Sequence, residues 1–360
     1  MYLKVYQKYL ITNFIKILIE VTLIFSTLIF IFGLLEEINF FKNLDKSFSY
    51  PLMLSLLNLP SLIYDIFPFI FIIATQFLFI KISDQNELPL IKINGISNLK
   101  VISILILTTF FFSILINIFF YNLSSNLKHH YLSIKNSFST TNKYLAVITE
   151  NGLWIKDEVD GKTFIVNSQE LENQFLFNVE ISEFDEKFDL IKIIYSEKVD
   201  ISKKDWLIKN AEISKENKNN NITGDIILKT NFNSEILNNY FSNLKSLSFF
   251  ELIDSKKNYK KLGYSTDDLE IHLQKFYTYP FYITIMTLLS CVLMLNIKYN
   301  KPKLLYLILG IILSVIIYYM NLFSAIFGQS LQIPSKIAAM FPLIIISLSC
   351  CVGLVKINEK

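Results

Sequence analysis

Six apolar runs of roughly 20 residues each govern what this chain can fold into. A helix rises about 1.5 Å per residue, so about 20 residues cross a hydrocarbon layer of roughly 30 Å. The runs occupy residues 11–35, 60–80, 101–121, 276–297, 304–323 and 337–355. Three precede a polar block of about 150 residues and three follow it. The first run is too long for the apolar part of a cleavable signal, and no small-x-small cleavage pattern follows it. The expected fold class is a membrane α-helical protein, six transmembrane helices in a 3+3 layout, with an inserted extracytoplasmic β domain. The expected division is 1–122 for the first three helices, 123–270 for the inserted domain on helical stalks, and 271–360 for the last three helices.

Composition agrees. Of the 360 residues 18% are charged, against about a quarter in soluble domains, and 52% are hydrophobic. That balance excludes a disordered chain, a disulfide scaffold and a nucleic-acid domain. A net charge of +3 is too small to mark a polyanion partner. The lysines of the short segments instead report orientation. Lys4, Lys8, Lys81, Lys92, Lys100, Lys298, Lys301, Lys303, Lys356 and Lys360 fall on one side, and Lys42, Lys46 and Lys336 on the other. This bias predicts cytoplasmic termini and an extracytoplasmic central block, periplasmic in a Gram-negative cell. The three cysteines, Cys291, Cys350 and Cys351, lie within the spans and read as buried free thiols. The central block needs no disulfide.

Residues from about 143 to 230 alternate with the period of half-buried strands. The expected strands are 144–149, 153–156, 163–167, 175–184, 190–197, 206–213 and 225–228. Asn151-Gly152, Asp160-Gly161, Asp185-Glu186-Lys187 and the polar run 214–221 separate them, the last reading as a mobile loop. Short strands at such spacing suggest a β-sandwich or jellyroll. Beyond 230 the pattern turns helical. Ser248 with Glu251 fits a capping box, and Thr266 before Asp267 and Asp268 fits a helix start.

No residues point to catalysis, a cofactor or a metal. The string from Gly224 to Lys229 and Thr230 lacks the second glycine of a phosphate loop. His129 and His130 are neighbours that a helix points about 100° apart, and His272 stands alone. Charges within spans are costly. Lys16 and Glu20 are four apart and read as an interfacial intrahelical pair, while Asp65 reads equally as an interior group or a snorkelling one.

The segment 84–96 between spans two and three is the most informative short stretch. Asp84 is placed to cap a short helix, Pro89 fits its first turn, and Gly95 can end it. Leu88, Ile91 and Leu90 then form an apolar face, suited either to a groove on a partner or to the bilayer surface.

Four stretches together resemble the LptF/LptG permeases of the lipopolysaccharide exporter. Glu87-Leu88, Lys92 and Gly95-Ile96-Ser97 match that family's Glu-Leu, basic, Gly-Ile-Ser pattern. The stretch from Asn151 through Gly152-Leu153-Trp154 to Lys156-Asp157 is similar to the signature of the G-type member. Leu273, Lys275, Phe276 and Pro280 resemble the helix leading into span four, and Pro334, Ala338, Ala339 and Pro342 the start of span six. Glu36 and Glu37 at the end of span one fit the G member better than the F member. The resemblance covers nearly the whole chain.

The resemblance implies a transport subunit of the bacterial inner membrane without its own ATPase site, carrying a periplasmic β-jellyroll. It implies an LptF-like permease partner, an LptB-like ATPase dimer and an LptC-like bitopic jellyroll protein. The helix within 84–96 would be the coupling helix, with Glu87 touching the ATPase, Leu88 and Ile91 filling its groove, and Lys92 and Gly95 completing the motif. Pro89, Leu90 and Ile93 stand where the family often has small residues. Spans one, two and five would line a cavity for lipopolysaccharide. Its rim residues here would be Lys42, Lys46, Glu36, Glu37 and Asp65. Rival readings are the F-type subunit, a mechanotransmission permease, or a membrane-anchored lipid-binding module.

Overall fold

The computed structural model describes residues 4–42, 47–138, 153–159, 161–172, 174–215, 218–234, 237, 243–261, 266–296, 302–330 and 334–358. Its helices are α1 (Val5–Phe41), α2 (Ser49–Asp84), α3 (Glu87–Ile93), α4 (Asn98–Ser137), α5 (Phe249–Lys261), α6 (Asp267–Leu295), α7 (Lys303–Ser330) and α8 (Ser335–Asn358). All but α3 and α5 are long and apolar enough to cross a membrane. Three of these come before the strands and three after. The chain divides into two compact units, Met1–Leu127 with Asp267–Lys360, and Lys128–Thr266.

In the first unit α2 and α6 are central. In the most apolar window of α2 67% of residues are buried, against 17% in α1 and in α7. Phe14, Ile70, Phe71, Leu78, Leu105 and Ile283 form the middle of the core. Ile72, Met286, Ile317, Ile346 and Cys350 form a smaller cluster. Lipid tails are as apolar as these side chains, so close packing and interhelical hydrogen bonds hold such helices together, not removal from water.

The second span departs from its expected start at 60. Its helix begins at Ser49 and carries Pro60 and Pro68 inside it. A proline lacks the N–H that the carbonyl four residues earlier needs. In a membrane that carbonyl must find another donor. Three such carbonyls find one across a helix interface. Pro68 frees Tyr64 O, which accepts from Tyr279 Oη at 2.6 Å. Pro280 frees Phe276 O, which accepts from Asn117 Nδ2 at 3.0 Å. Pro342 frees Ala338 O, which accepts from Ser324 Oγ. Tyr64 Oη then donates to Asn117 Oδ1 at 2.8 Å and closes the first two bonds into one network. Asn117 sits in a π-helical turn, Ile116–Phe120, within α4. Such turns often re-aim a side chain at a functional place.

Cys291 and Cys350 are buried free thiols, as expected, but Cys351 is exposed. Adjacent helical residues point about 100° apart, so Cys350 and Cys351 cannot share one face. Lys16 and Glu20 are both exposed, and no ion pair joins them.

The second unit holds six strands: β1 (Leu153–Val159), β2 (Lys162–Glu172), β3 (Phe175–Phe184), β4 (Leu190–Asp200), β5 (Asp205–Lys215) and β6 (Lys218–Lys229). Each pairs antiparallel with its sequence neighbours, in the order β1-β2-β3-β4-β5-β6. A jellyroll or Greek key needs strands that pair out of sequence order. The described strands form an up-and-down meander instead. Only two residues of chain separate β1 from β2, β2 from β3 and β5 from β6, which keeps neighbours together. Gly161, at φ +76°, supplies the positive torsion of the first turn. Of the expected loop at 214–221, the described residues 214–215 and 218–221 belong to β5 and β6, where Ile213 pairs with Ile222 and Lys215 with Lys218. The expected strand at 144–149 lies outside the described residues.

Alternation holds on β1, where Leu153, Ile155 and Asp157 are buried and Trp154 and Lys156 exposed. The core gathers Val166, Leu176, Ile181, Ile194, Ile208 and the fully buried Trp206. Trp206 Nε1 donates to Phe232 O at 2.8 Å, as a buried indole must find an acceptor. Glu183 is also buried, between Lys162 at 2.8 Å and Lys192 at 2.9 Å. Burial pushes its carboxyl up, but the hydrogen bonds and charges of the two lysines outweigh this and hold it below the ordinary glutamate value. Lys162 is pushed up in turn by its hydrogen bond to Glu183. The capping box forms as expected, with Glu251 Oε2 accepting from Ser248 N at 2.7 Å at the start of α5.

Candidate functional site

The segment after α2 builds a compact exposed device. Asp84, expected as a cap, is instead the last residue of α2. Its carboxylate pairs with Lys303 at the first turn of α7. The helix ends there because the chain reverses two residues later, at Asn86, whose φ of 54° is left-handed. Asparagine tolerates that conformation better than most residues. Pro89 does lie in the first turn of α3. At the other end Gly95 takes φ +75°. Its N–H donates to Lys92 O at 2.9 Å, and Ile96 N–H donates to Ile91 O at 3.3 Å. These two bonds are the Schellman closure that a glycine in that position makes.

The helix presents two opposite apolar faces. Leu88 and Ile91 are half-buried and pack against the core of the membrane unit, with Ile96 beside them. Leu90 and Ile93 point away and are 57% and 80% exposed. Lys92 is exposed as well. The sequence grouped Leu90 with Leu88 and Ile91. A helix turns 100° per residue, which puts Leu90 nearly opposite Leu88 and close to Ile93.

Glu87 is half-buried, and both its oxygens accept from Tyr9 Oη at 2.7 Å. Tyr9 stands one turn into α1. Asn13, four residues on, donates to Tyr9 O at 3.1 Å and accepts from Lys81 Nζ at 3.0 Å. Polar side chains thus join the start of α1 and the end of α2 to α3. Tyr9 and Lys303 escaped the sequence reading because both partners lie far away along the chain. The signal available was a phenol and a cation at the ends of apolar runs, where polar groups have a use.

The remaining expected site residues are scattered. Glu36, exposed, and Glu37, only 1% exposed, lie in the last turns of α1. Lys42 directly follows α1 and is exposed. Phe41 stacks on Tyr50 at 6.1 Å between ring centres, bringing the end of α1 to the start of α2. Lys46 lies outside the described residues. Asp65 is exposed on α2, about 24 Å along that helix from Ser49. It adjoins Tyr64 of the proline network and is not brought together with Lys42.

No curated protein matches the chain. The family model described as lipopolysaccharide export system permease LptF/LptG matches residues 8–356 of 360. Six long apolar helices, a separate antiparallel β unit and this match over nearly the full length place the chain, as a multi-pass inner-membrane transport subunit, in the LptF/LptG family of lipopolysaccharide export permeases.

Proposed function

We propose that this chain is the G-type half of the exporter's permease, paired with an LptF-like chain and driven by an LptB-like cytoplasmic ATPase dimer. Both termini and α3 face the cytoplasm, and the β unit is periplasmic, where it meets an LptC-like jellyroll protein. The short-segment lysines support that orientation. α3 acts as the coupling helix. The observation that carries this reading is the outward pair Leu90 and Ile93, presented beside Lys92 on a capped helix between two membrane-spanning ones. Bare apolar side chains facing water are costly, and a groove on a partner removes them from it. Leu88 and Ile91 seat the helix on its own membrane unit.

Lipopolysaccharide enters sideways, driven mainly by burial of its acyl chains at about 0.8 kcal/mol per CH₂. Closure of the ATPase, felt at α3, then narrows the cavity and pushes the lipid outward. Lys42 and Lys46 offer cations to headgroup phosphates. Each such exposed contact is worth about 1 kcal/mol or less, so the acyl chains dominate affinity.

The double substitution Leu90→Asp with Ile93→Asp tests the docking face. Burying one leucine is worth about 2 kcal/mol, so co-purification of the ATPase should fall at least about tenfold. Full retention of the ATPase by that variant would exclude α3 as its dock.

A further inference from the structure

The reading of α3 as the ATPase's dock leaves open how a push on α3 reaches the lipid. Two residues join α3 to α2 and four join it to α4, so a push on α3 reaches those helices through the chain, but α1 has no such link at this end. We propose that the Tyr9–Glu87 hydrogen bond is the linkage that carries movement of α3 into α1, making Tyr9 a positioning residue for transport.

Three observations converge on it. The first is the bond itself. Tyr9 Oη lies 2.7 Å from both Glu87 oxygens, the short separation of a phenol held by a carboxylate. Such a bond is stronger than a neutral one, and its centred geometry fixes the direction of the carboxylate as well as its place. The second is the support behind it. Asn13 holds the backbone carbonyl of Tyr9 and is itself held by Lys81, so the phenol is presented from a braced turn and not from a fraying end. The third is what α1 does in the fold. It keeps part of its surface on α2 and leaves most of its apolar length outside the chain, with Leu23, Ile24, Ile31, Phe32 and Leu35 exposed. α2, in contrast, is mostly buried. An element packed mainly on one side moves at lower cost than one enclosed on all sides. A push delivered to α1 therefore shifts an outer wall of the membrane unit, whereas a push delivered to α2 alone would have to disturb the core.

The linkage is also selective about direction. Leu88 and Ile91 rest α3 on the membrane core through apolar contact, which permits sliding. The phenol–carboxylate bond does not. Glu87 keeps lone pairs free of Tyr9, two oxygens offering about four acceptor sites. The same carboxylate can thus hold α1 while accepting a cation of the ATPase.

The inference rests on the docking role of α3, and the test separates the two. Tyr9→Phe removes the hydroxyl and keeps the ring. It is made in the full permease–ATPase complex in vesicles containing lipopolysaccharide. Spin labels placed at Lys8 on α1 and Asn94, directly after α3, report whether the helices move together. In the unaltered chain the label separation should stay constant on ATP binding. In Tyr9→Phe the ATPase should co-purify normally and hydrolyse ATP, the separation should change on ATP binding, and lipopolysaccharide release should fall roughly tenfold, as expected for losing one charge-assisted hydrogen bond. Unchanged release and unchanged label separation would overturn the linkage and leave the docking reading intact. Loss of the ATPase from Tyr9→Phe would also overturn it, since Tyr9 would then serve docking. If that variant does not assemble, Tyr9→Gln, whose amide can still donate to Glu87, decides: it should assemble and release lipid above the level of Tyr9→Ala, and equality of the two sinks the proposal.

Discussion

At the scale of single residues, polar groups in this protein occur where backbone or charge would otherwise be left unsatisfied. Tyr279 and Asn117 are the clearest cases, because each supplies a donor to a carbonyl that a proline has deprived of one. Tyr279→Phe should destabilise the membrane unit in detergent by about 1 kcal/mol, the usual worth of an interhelical hydrogen bond in membranes. The midpoint of thermal unfolding checks this, and a shift no larger than that of Tyr319→Phe, an exposed tyrosine, would count against it. Glu183 offers a pH test. Its folded carboxyl is held below the ordinary value, so its stabilisation is present above about pH 4.3 and is lost as pH falls below that. Glu183→Gln should therefore be less stable than the natural chain at neutral pH, and the two should converge on acidification. The only two tryptophans, Trp154 and Trp206, both lie in the β unit, so tryptophan fluorescence follows its unfolding in the intact chain. A constant gap between the curves down to acid pH would refute the role given to Glu183.

At the scale of elements, helix ends decide more than helix interiors. α3 exists as a separate helix because Asn86 and Gly95 both take left-handed torsions, one before it and one after. A Cβ at Gly95 would meet nothing, so the cost of a substitution there is backbone strain alone. Gly95→Ala should cost about 1 kcal/mol and loosen the last turn of α3, while Gly95→Asn should cost less. Faster amide exchange over residues 91–96 in the alanine variant than in the asparagine one is the expected result. Gly310 answers a different need. An added Cβ there would lie 2.0 Å from Gln76 Nε2, which donates to Tyr306 O and joins α2 to α7. Much of this level was legible in the sequence. The capping box at Ser248 and the stop at Gly95 depend on neighbours within a few residues, and both formed as read. The cap assigned to Asp84 did not form, because Lys303, 219 residues away, holds that carboxylate.

For the molecule as a whole, the uneven burial of the six long helices is the main result. α2 and α6 form the centre, and α1 and α7 turn apolar faces outward. In the proposed pairing such faces meet the partner permease and lipid. Photocrosslinkers at Phe32 on α1 and Phe323 on α7 should therefore capture the partner permease or lipopolysaccharide in the membrane. One at Phe71 on α2, fully buried, should capture only the chain itself. Equal external capture from Phe71 would show that the helices pack differently in the assembled exporter. In the other unit, the meander gathers one apolar core, and its buried carboxylates are held by partners, Glu183 by two lysines and Asp157 by Asn231.

The sequence by itself determined the solvents. Six runs long enough for a bilayer and an alternating block between them follow from the period and length of apolar residues, which are local properties. It also determined the family pattern around Glu87 and Gly95, and several helix ends. Only the tertiary structure decided which face of α3 turns outward, since Leu88 with Ile91 and Leu90 with Ile93 are equally apolar pairs. The same holds for the strand order, a meander in which each strand pairs with its sequence neighbours, and for the donors that complete the proline-freed carbonyls. Tyr9 and Glu87 are 78 residues apart, and Tyr279 and Tyr64 are 215 apart. Local periodicity shows which groups need a partner. Which partner they meet depends on how helices pack across the fold, and no local pattern carries that information.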